Sequence, residues 1–536
     1  MDAHNSSFLK PRCLSKALAL ACFIKGTFCI YMTLVSWHSK MERPWVQQSL
    51  TRFAPDVYPV GTSTTAQDEK TYTVTERLAY KVNSELPYSD LMALLDDQNP
   101  DGSLNEHFYG GMQFKLWKQL LPFLSWDGER MLKIAIDELV YGSEDSAAFM
   151  PLLPYLVNVG GKTLRFLHLK LASRWGIDPE SVKAPKTLYM ALAGVIIANL
   201  AGIVAAGVLY LLVWEVMYRR MLLATNGSNI PSSMTDEKTP TSLTPQYTEK
   251  IAYFAVLFFC LGPATVHCTS IYTENIFCMC TFGGLLLLFF AEDNRKIARH
   301  CDSYDNKALV KAYICEVAAV ALFFLGATSR SNGVLLLIPL FFYTLRTCSL
   351  FSKWNLHYAY DLKRLCPKGK VVCYRFSYMA IARFLFHWLR SLVYAVTLLA
   401  PMVIFQLYLY CLYCLKLTSE QLQLIARFPA FVRVITTPSG VKELVSILKA
   451  VKLNSRPWCA AIPPQPYAFV QKQYWDVGFL WVLRQPLRLH VFLYCWTSYL
   501  VTYYAIKWYA TFINKMYKNL TQSVRKEGVG IGKLFS

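Results

Sequence analysis

Charged side chains are scarce in this sequence. Asp, Glu, Lys and Arg together make up 17% of the 536 residues, whereas 54% of the residues are hydrophobic. An ordinary soluble domain carries about 25% charged residues, so that class of protein is excluded. The hydrophobic residues are gathered into runs close to the roughly 20 residues that a helix needs to cross a bilayer. The sequence therefore predicts an all-α polytopic membrane protein.

Acidic side chains are the scarcer of the two charged kinds, with 35 Asp and Glu against 55 Lys and Arg. A basic excess of this size raises the question of a nucleic-acid partner. The excess lies in loops beside the apolar runs, however, where Lys and Arg set the orientation of membrane spans. The charge therefore predicts topology, and no nucleic-acid partner is expected.

The 16 cysteines lack the even, short spacing of a disulfide scaffold. Cys411 and Cys414 lie inside an apolar run and are predicted to be packing residues. Their spacing also matches half of a zinc or redox site, but zinc needs about four ligands, and the neighbouring sequence supplies no others. No metal and no cofactor are expected.

Internal repeats are absent from the sequence, and the apolar runs are nearly free of acidic residues. Transporters and channels commonly carry charged residues inside their spans, and many transporters are built from repeats. A transporter or channel is therefore disfavoured. A shortened, non-catalytic membrane protein stays open as an alternative.

Eight apolar runs predict eight membrane crossings. The first run follows Lys10, Arg12 and Lys16 and has no clear small-residue cleavage site, so we expect a retained anchor with a cytosolic N-terminus. Alternation from that start places the basic loops and the basic C-terminus in the cytosol. The predicted crossings are residues 14–35, 188–216, 251–266, 276–291, 309–327, 334–345, 392–415 and 489–506.

The unusual polar residues fall in the loops on the opposite, non-cytosolic side. Trp126, Asp127 and Glu129 directly precede an apolar-periodic run that predicts a helix. One carboxylate can cap that helix while the other faces a ligand, although Asp127-Gly128 is also ordinary turn chemistry. Glu274 stands between two apolar runs, as a solvated helix start or as a carboxylate turned into a cavity.

Arg330, Ser331 and Asn332 form a polar island between two further apolar runs. An Arg at that depth requires an anion, which a lipid phosphate, a neighbouring carboxylate or a phosphate-bearing substrate can supply. A snorkelling interface residue is the alternative. Tyr474 and Trp475 follow Pro-rich turns, which suits an interfacial aromatic belt or a platform on which a sugar ring stacks.

Seven short phrases stand in one order along the chain: Trp126-Asp127-Gly128-Glu129, Ala148 to Pro154, Gly262-Pro263-Ala264 with Tyr272-Thr273-Glu274, Ala327 to Gly333, Phe405-Gln406 with Tyr408, Pro457-Trp458-Cys459, and Tyr474 to Leu480. In their residues and in their order these motifs resemble those of the PIG-V family, the second mannosyltransferase of glycosylphosphatidylinositol (GPI) anchor assembly. Members of that family continue past the last phrase with more membrane spans, so we expect a chain shortened at its C-terminus.

The resemblance implies a GT-C type glycosyltransferase with a non-cytosolic active site. Such an enzyme takes mannose from dolichol-phosphate-mannose and adds it through an α-1,6 linkage to the first mannose of the GPI precursor, with inversion. Inversion by direct displacement needs a general base and groups that hold the leaving phosphate. The resemblance implies Asp127 as the base, with Glu129 as the second candidate, and no metal because the donor carries a single phosphate.

The remaining site residues divide by the group they would bind. Donor phosphate binding is assigned to Arg330, Ser331 and Asn332. Substrate binding is assigned to Trp126, Glu274, Tyr474 and Trp475, with Glu274 contacting sugar hydroxyls or orienting a cation and the two aromatic residues of the last pair stacking on the acceptor.

The resemblance also implies the partners and the place of action. We expect dolichol-phosphate-mannose, the GPI lipid precursor and the endoplasmic-reticulum membrane as partners, and a small accessory membrane subunit stays open. Another glycosyltransferase that uses a dolichol-phosphate sugar is the alternative function. The predicted regions are 1–35, the cytosolic N-terminus and first span; 36–186, a long luminal loop with the catalytic carboxylate; 187–415, a helical bundle with short luminal loops; 416–488, a luminal loop with the aromatic motif; and 489–536, the last span and a basic cytosolic tail.

Overall fold

The computed structural model describes residues 13–38, 119–124, 127–176, 186–226, 245–262, 265–300, 306–347, 378–415, 417–450, 457–461 and 463–475, with the single positions 116, 499, 503 and 507. Its regular elements are helical. They are α1 Leu14–His38, α2 Asp127–Ile136, α3 Leu152–Arg174, α4 Lys186–Asn226, α5 Pro245–Leu261, α6 Thr265–Thr269, α7 Glu274–His300, α8 Asn306–Ser329, α9 Leu337–Thr347, α10 Tyr378–Cys414, α11 Ser419–Ile425, α12 Phe428–Thr436, α13 Pro438–Ala450 and α14 Pro466–Trp475.

Five described helices are long and apolar enough to cross a membrane, which confirms the all-α, multi-span prediction. The candidate spans are Leu14–Leu34, Lys186–Arg219, Glu274–Ala298, Asn306–Ser329 and Phe384–Cys414. Each coincides with a crossing predicted from hydropathy.

Two further predicted crossings are shorter helices in the structure. The run at 251–266 becomes α5, which has 17 residues, and the run at 334–345 becomes the shorter apolar helix Ser331–Leu345. The last predicted crossing, 489–506, falls outside the described residues except at Tyr499 and Tyr503, whose rings stack at 6.2 Å between centroids. The spacing of those two rings is the i,i+4 spacing of a helix.

The described residues form two compact units. The first lies within Met1–Tyr218 and Thr244–Tyr467, and the second lies within Arg219–Leu243 and Ala468–Ser536. The clusters of buried residues lie in the first unit. In that unit α1, α4 and α5 share one apolar cluster, which includes Ala21, Tyr210 and Val256. A second apolar cluster joins α7, α8, α9 and α10.

A buried ionic cluster ties these last four helices together. Glu316 of α8 accepts hydrogen bonds from Arg295 Nε of α7 at 2.7 Å and from the Tyr343 hydroxyl of α9, and Arg390 Nη1 of α10 lies 3.3 Å from its second oxygen. The Arg295 and Glu316 side chains are 3% and 0% exposed. The guanidinium of Arg295 also lies 4.7 Å from the ring centroid of Tyr313. One carboxylate therefore organises cationic or phenolic groups from three neighbouring helices.

A cap, formed by residues 138–144, 413–427 and 458–459, joins segments that are far apart in the sequence. Val140 forms an antiparallel bridge with Arg427, and Arg427 Nη1 lies 2.6 Å from Glu138 Oε2. The Trp458 indole N–H donates to Glu144 Oε1 at 2.7 Å. These contacts join the chain that follows α2 to the chain that follows α10.

A disulfide between Cys414 and Cys459 completes the cap. The prediction that Cys414 is a packing residue was wrong, because its partner lies 45 residues away and is invisible to a test based on short spacing. Cys411, the other member of the Cys-x-x-Cys pair, is buried and free. Disulfides persist in oxidising compartments, so this bond agrees with the predicted non-cytosolic location of the loop.

The predicted topology can be tested with the three natural N-glycosylation sequons, at Asn5, Asn226 and Asn519. Alternation of the spans places all three in the cytosol, where asparagine is not glycosylated, so the chain is expected to carry no N-glycan. A sequon engineered near Asn83, in the predicted luminal loop, is expected to be modified. The measurement is a mobility shift that glycosidase abolishes, and a shift mapped to Asn226 would invert the central spans.

Candidate active site

Asp127 is the first residue of α2, and two contacts fix its position. Its backbone N–H donates to the Tyr272 hydroxyl at 3.2 Å, and the preceding turn is held by a hydrogen bond from Ile271 N–H to Phe123 O at 3.0 Å. The first N–H groups of a helix have no partner within it, so Tyr272 satisfies a donor that α2 leaves open. Carboxylates in this first turn, at Asp127 and Glu129, also suit the positive end of the helix dipole.

The segment that carries Tyr272 is a short reversal between α5 and α7. Its α6 has five residues, and side-chain amides from two long helices donate to its backbone carbonyls: Asn199 Nδ2 to Thr269 O at 2.9 Å, and Asn275 Nδ2 to Cys268 O. Asn275 Nδ2 also donates to Ala198 O of α4 at 2.7 Å. Irregular backbone at the depth of a membrane is tolerated where protein groups satisfy it. These bonds hold Glu274, at the start of α7, in a defined place.

Arg330 enters the same region from the turn between α8 and α9. The turn closes with a hydrogen bond from Gly333 N–H to Arg330 O at 2.9 Å. It packs so closely on the end of α8 that a Cβ at Gly333 would lie 2.2 Å from Ala327 Cα. Only glycine permits that approach, and the approach directs Arg330 toward α7.

Arg330 and Glu274 form an ion pair through Nη1 and Oε1, and Arg330 Nη1 also lies 3.4 Å from Thr273 Oγ1. Both charged side chains keep about a third of their surface exposed, 31% for Arg330 and 30% for Glu274. The sequence allowed a lipid phosphate, a neighbouring carboxylate or a substrate phosphate as the anion beside Arg330. In the structure that anion is the carboxylate of Glu274. The residual exposure leaves both groups accessible to a ligand.

The Asp127 carboxyl lies within electrostatic reach of this pair. Burial raises its pKa above the ordinary value; the charge of Arg130 opposes that rise, Glu274 adds to it, and Arg330 and His267 oppose it. Arg130 is itself paired, at 3.3 Å, with Asp145. A carboxylate with a raised pKa beside an Arg–Glu pair is the arrangement expected of a proton acceptor next to an anion site.

A second carboxyl, Asp137, is buried where α2 ends. Burial raises its pKa to about 7, against the opposing charge of Lys133. In the unfolded chain the carboxyl loses its proton near pH 3.8. Between these values the folded state binds more protons than the unfolded state, so stability falls as the pH rises from about 4 to about 7.

Replacing Asp137 by Asn should remove that pH-dependent loss, because the amide stays neutral. The Asp137→Asn variant is expected to melt at a higher temperature than the wild-type protein at pH 8 and at a similar temperature at pH 4.5. Thermal unfolding in detergent at the two pH values measures both differences. An equal shift at both pH values would attribute the effect to packing instead.

The structure brings together three of the predicted site residues: Asp127, Glu274 and Arg330. Ser331 and Asn332 follow Arg330 in the short 3-10 helix Ser331–Leu336, where Ser331 is partly buried and Asn332 is exposed.

Of the other four predicted site residues, the structure describes the side chain of Glu129 only. Glu129 is partly buried on α2, two residues beyond Asp127, a rotation of about 200° around the helix, so it leaves α2 on another face. Trp126 falls outside the described residues, as do the side chains of Tyr474 and Trp475 at the end of α14. Among the residues that the structure describes, no group of three or more His, Cys, Asp or Glu side chains is arranged to hold a metal ion.

Sequence reasoning missed two features of this region. Tyr272 was predicted only to belong to a family motif, whereas its hydroxyl accepts a hydrogen bond from the first backbone N–H of α2. Lys25 of α1 was not considered, although its side chain reaches the same segment and donates to Cys268 O at 3.0 Å. The available signal was a lone ionisable residue within a membrane-length apolar run, which is by default a candidate functional residue.

The sequence of the chain matches a known protein family. The model of the mannosyltransferase family PIG-V matches residues 239–526, more than half of the chain. The chain belongs to the PIG-V family. The match includes Glu274, Arg330 and the cap residues Arg427 and Trp458.

Individual relatives agree with this assignment. The chain is 24% identical over 387 residues to "GPI mannosyltransferase 2" of Drosophila pseudoobscura pseudoobscura, covering 69% of this chain and 62% of that one. It is 26% identical over 372 residues to "GPI alpha-1,6-mannosyltransferase 2" of Homo sapiens, covering 69% and 54%. It is 26% identical over 370 residues to "GPI mannosyltransferase 2" of Chaetomium globosum, covering 68% and 59%.

The matches thus span between about half and two thirds of the length of these relatives. No solved structure matches the chain.

Proposed function

We propose that this chain is an inverting mannosyltransferase that acts on the GPI precursor in the lumen of the endoplasmic reticulum. It transfers mannose from dolichol-phosphate-mannose and forms an α-1,6 linkage to the first mannose of the acceptor. The observation that carries the proposal is the convergence of Asp127, Glu274 and Arg330, from three separate elements, beside membrane-length helices. Membership in the PIG-V family and the names of its relatives support the substrate class.

The proposed reaction is a single displacement at the anomeric carbon of the donor. Asp127 accepts the proton of the acceptor 6-hydroxyl while the oxygen of that hydroxyl forms a bond to the anomeric carbon. The bond from the carbon to the phosphate oxygen breaks on the opposite face, and its electron pair leaves with dolichyl phosphate. The configuration therefore inverts, and the step requires neither a covalent enzyme intermediate nor a metal ion.

Arg330 stabilises the leaving phosphate in this proposal, and Glu274 orients the guanidinium through their ion pair. A guanidinium offers a planar fork of donors that can bridge a carboxylate and a phosphate at once, whereas an ammonium is a point charge. The raised pKa of Asp127 suits its role, because a base whose pKa approaches the operating pH accepts a proton more readily.

Arg330→Lys tests the phosphate role. The variant is expected to lower the rate at limiting donor about 10- to 100-fold, since a charge-assisted hydrogen bond contributes about 1.5–3 kcal/mol. The measurement is mannose transfer in microsomes over a range of dolichol-phosphate-mannose concentrations. Arg433→Lys, on the exposed face of α12, is the matched control and should retain the wild-type rate. A fully active Arg330→Lys variant would make Arg330 an interface anchor instead.

A further inference from the structure

Lys25 is a cation buried well inside a membrane-spanning helix. It lies eleven residues from Leu14, the start of α1, which is about 16 Å along the helix axis. Only 3% of the residue is exposed. Its stem passes close to α4, where a Cβ at Gly202 would lie 3.1 Å from Lys25 Cε. The absence of a side chain at Gly202 thus makes room for the lysine.

The described residues supply Lys25 with a hydrogen-bond acceptor but with no counter-charge. Its ammonium donates to Cys268 O at 3.0 Å, and the groups with the largest electrostatic influence on it are the thiols of Cys268, Cys260, Cys29 and Cys278. Within the described part of the chain it forms no ion pair. A charged lysine within a bilayer is costly unless it is compensated, so an anion that reaches it would gain from the compensation.

The charge of Arg330 is already balanced by Glu274. A phosphate that approached this pair would meet little net positive charge and would feel the carboxylate as well. Binding of an anion at this place therefore needs a second cation. The Cys268 thiol lies close enough to Lys25, Glu274 and Arg330 to be influenced by all three charges, and the Lys25 ammonium donates to Cys268 O, so Lys25 lies in the same region as the Arg330–Glu274 pair.

We propose that Lys25 is a second cationic residue for the phosphate of the lipid-linked donor. The phosphate binds between Lys25 and Arg330, at the segment that runs from α6 to the start of α7. The inference rests on the proposed function for the identity of the lipid. Lys25 supplies the positive charge that the Arg330–Glu274 pair lacks, and its position on α1 places the phosphate within the thickness of the membrane, where a polyprenyl chain can stay in the hydrocarbon.

The test is binding of dolichyl phosphate to the purified full-length protein in phosphatidylcholine nanodiscs, with dolichol and inorganic phosphate as separate ligands. Lys25→Gln is the informative variant, because glutamine can still donate to Cys268 O while it carries no charge. It is expected to weaken dolichyl phosphate binding about 10- to 100-fold. Lys25→Arg should retain most of the affinity, and Lys16→Gln, an exposed lysine on the same helix, should match the wild-type protein.

A second readout uses turnover. Loss of a contact to the donor phosphate should raise the KM for dolichol-phosphate-mannose in Lys25→Gln and leave the acceptor KM unchanged, whereas a merely structural role would lower the amount of folded protein and leave both KM values alone. Wild-type affinity for dolichyl phosphate in Lys25→Gln would overturn the role of Lys25 and leave the proposed function intact. A wild-type protein that prefers dolichol, or binds inorganic phosphate as tightly, would overturn the lipid-phosphate assignment itself.

Discussion

Asp127→Asn is expected to abolish mannose transfer while leaving the protein folded and inserted. An amide cannot accept the proton of the acceptor hydroxyl, and loss of a general base typically lowers a rate about 10²- to 10⁴-fold. The asparagine keeps its backbone N–H, so the hydrogen bond to the Tyr272 hydroxyl is retained. The measurement is transfer from dolichol-phosphate-mannose in microsomes of cells that lack the endogenous activity, at low expression.

Asp137→Asn is the matched control, since it makes the same chemical change at the other end of α2. It should retain transfer. Glu129→Gln distinguishes the second candidate, and full activity in Asp127→Asn together with inactivity in Glu129→Gln would move the role of base to Glu129. Because burial raises the pKa of Asp127, the wild-type rate should begin to fall, as the pH is lowered, at a higher pH than an ordinary Asp would give.

Glu316→Gln is expected to be the most destabilising single substitution in the helical bundle. Glu316 is the carboxylate that both Arg295 and Arg390 approach, and its side chain is fully buried. Removal of its charge leaves two buried guanidinium groups uncompensated, and breaking a buried ion pair in this way costs about 3–5 kcal/mol. The free energy of unfolding in mixed detergent micelles, or the melting temperature in nanodiscs, measures the loss.

Two comparisons separate this effect from a general sensitivity to charge. Lys162→Met removes an exposed partner of Glu138 and should cost no more than about 1 kcal/mol. A triple variant with Met at positions 295, 316 and 390 should recover most of the stability, because apolar replacement of a whole buried cluster is often neutral or stabilising. A Glu316→Gln protein as stable as the wild type would mean that the cluster is hydrated rather than buried.

The sequence predicted the helices well because membrane spans are encoded locally. A run of apolar residues forms a helix within the bilayer whatever its neighbours are, since each backbone group must be satisfied inside the segment. The predicted run at 309–327 and the observed helix Asn306–Ser329 differ by only two or three residues at each end. The run at 251–266 was less well placed, because the polar reversal around Thr265 divides it into α5 and α6.

Pairings between distant residues could not be predicted in the same way. The sequence left Arg330 either paired with an anion or snorkelling to the interface, and the identity of Glu274 as its partner depends on how α7 and α8 are placed in space. The bond between Cys414 and Cys459 likewise depends on the fold of the cap. Lys25 was detectable as an anomaly in an apolar run, yet only the structure shows that it reaches the α6–α7 reversal.

The cap has a consequence for biosynthesis. Tyr413 donates to the carbonyl of Tyr141 across 272 residues, and Trp458 donates to Glu144 across 314 residues. The ribosome must therefore synthesise the chain as far as Trp458 before Tyr141 and Glu144, which follow α2, acquire both of these contacts. A nascent chain can insert its first helices, and can bring Asp127 beside Tyr272, Glu274 and Arg330, before that point is reached. Among the described residues, the cap is thus one of the last parts that the growing polypeptide completes.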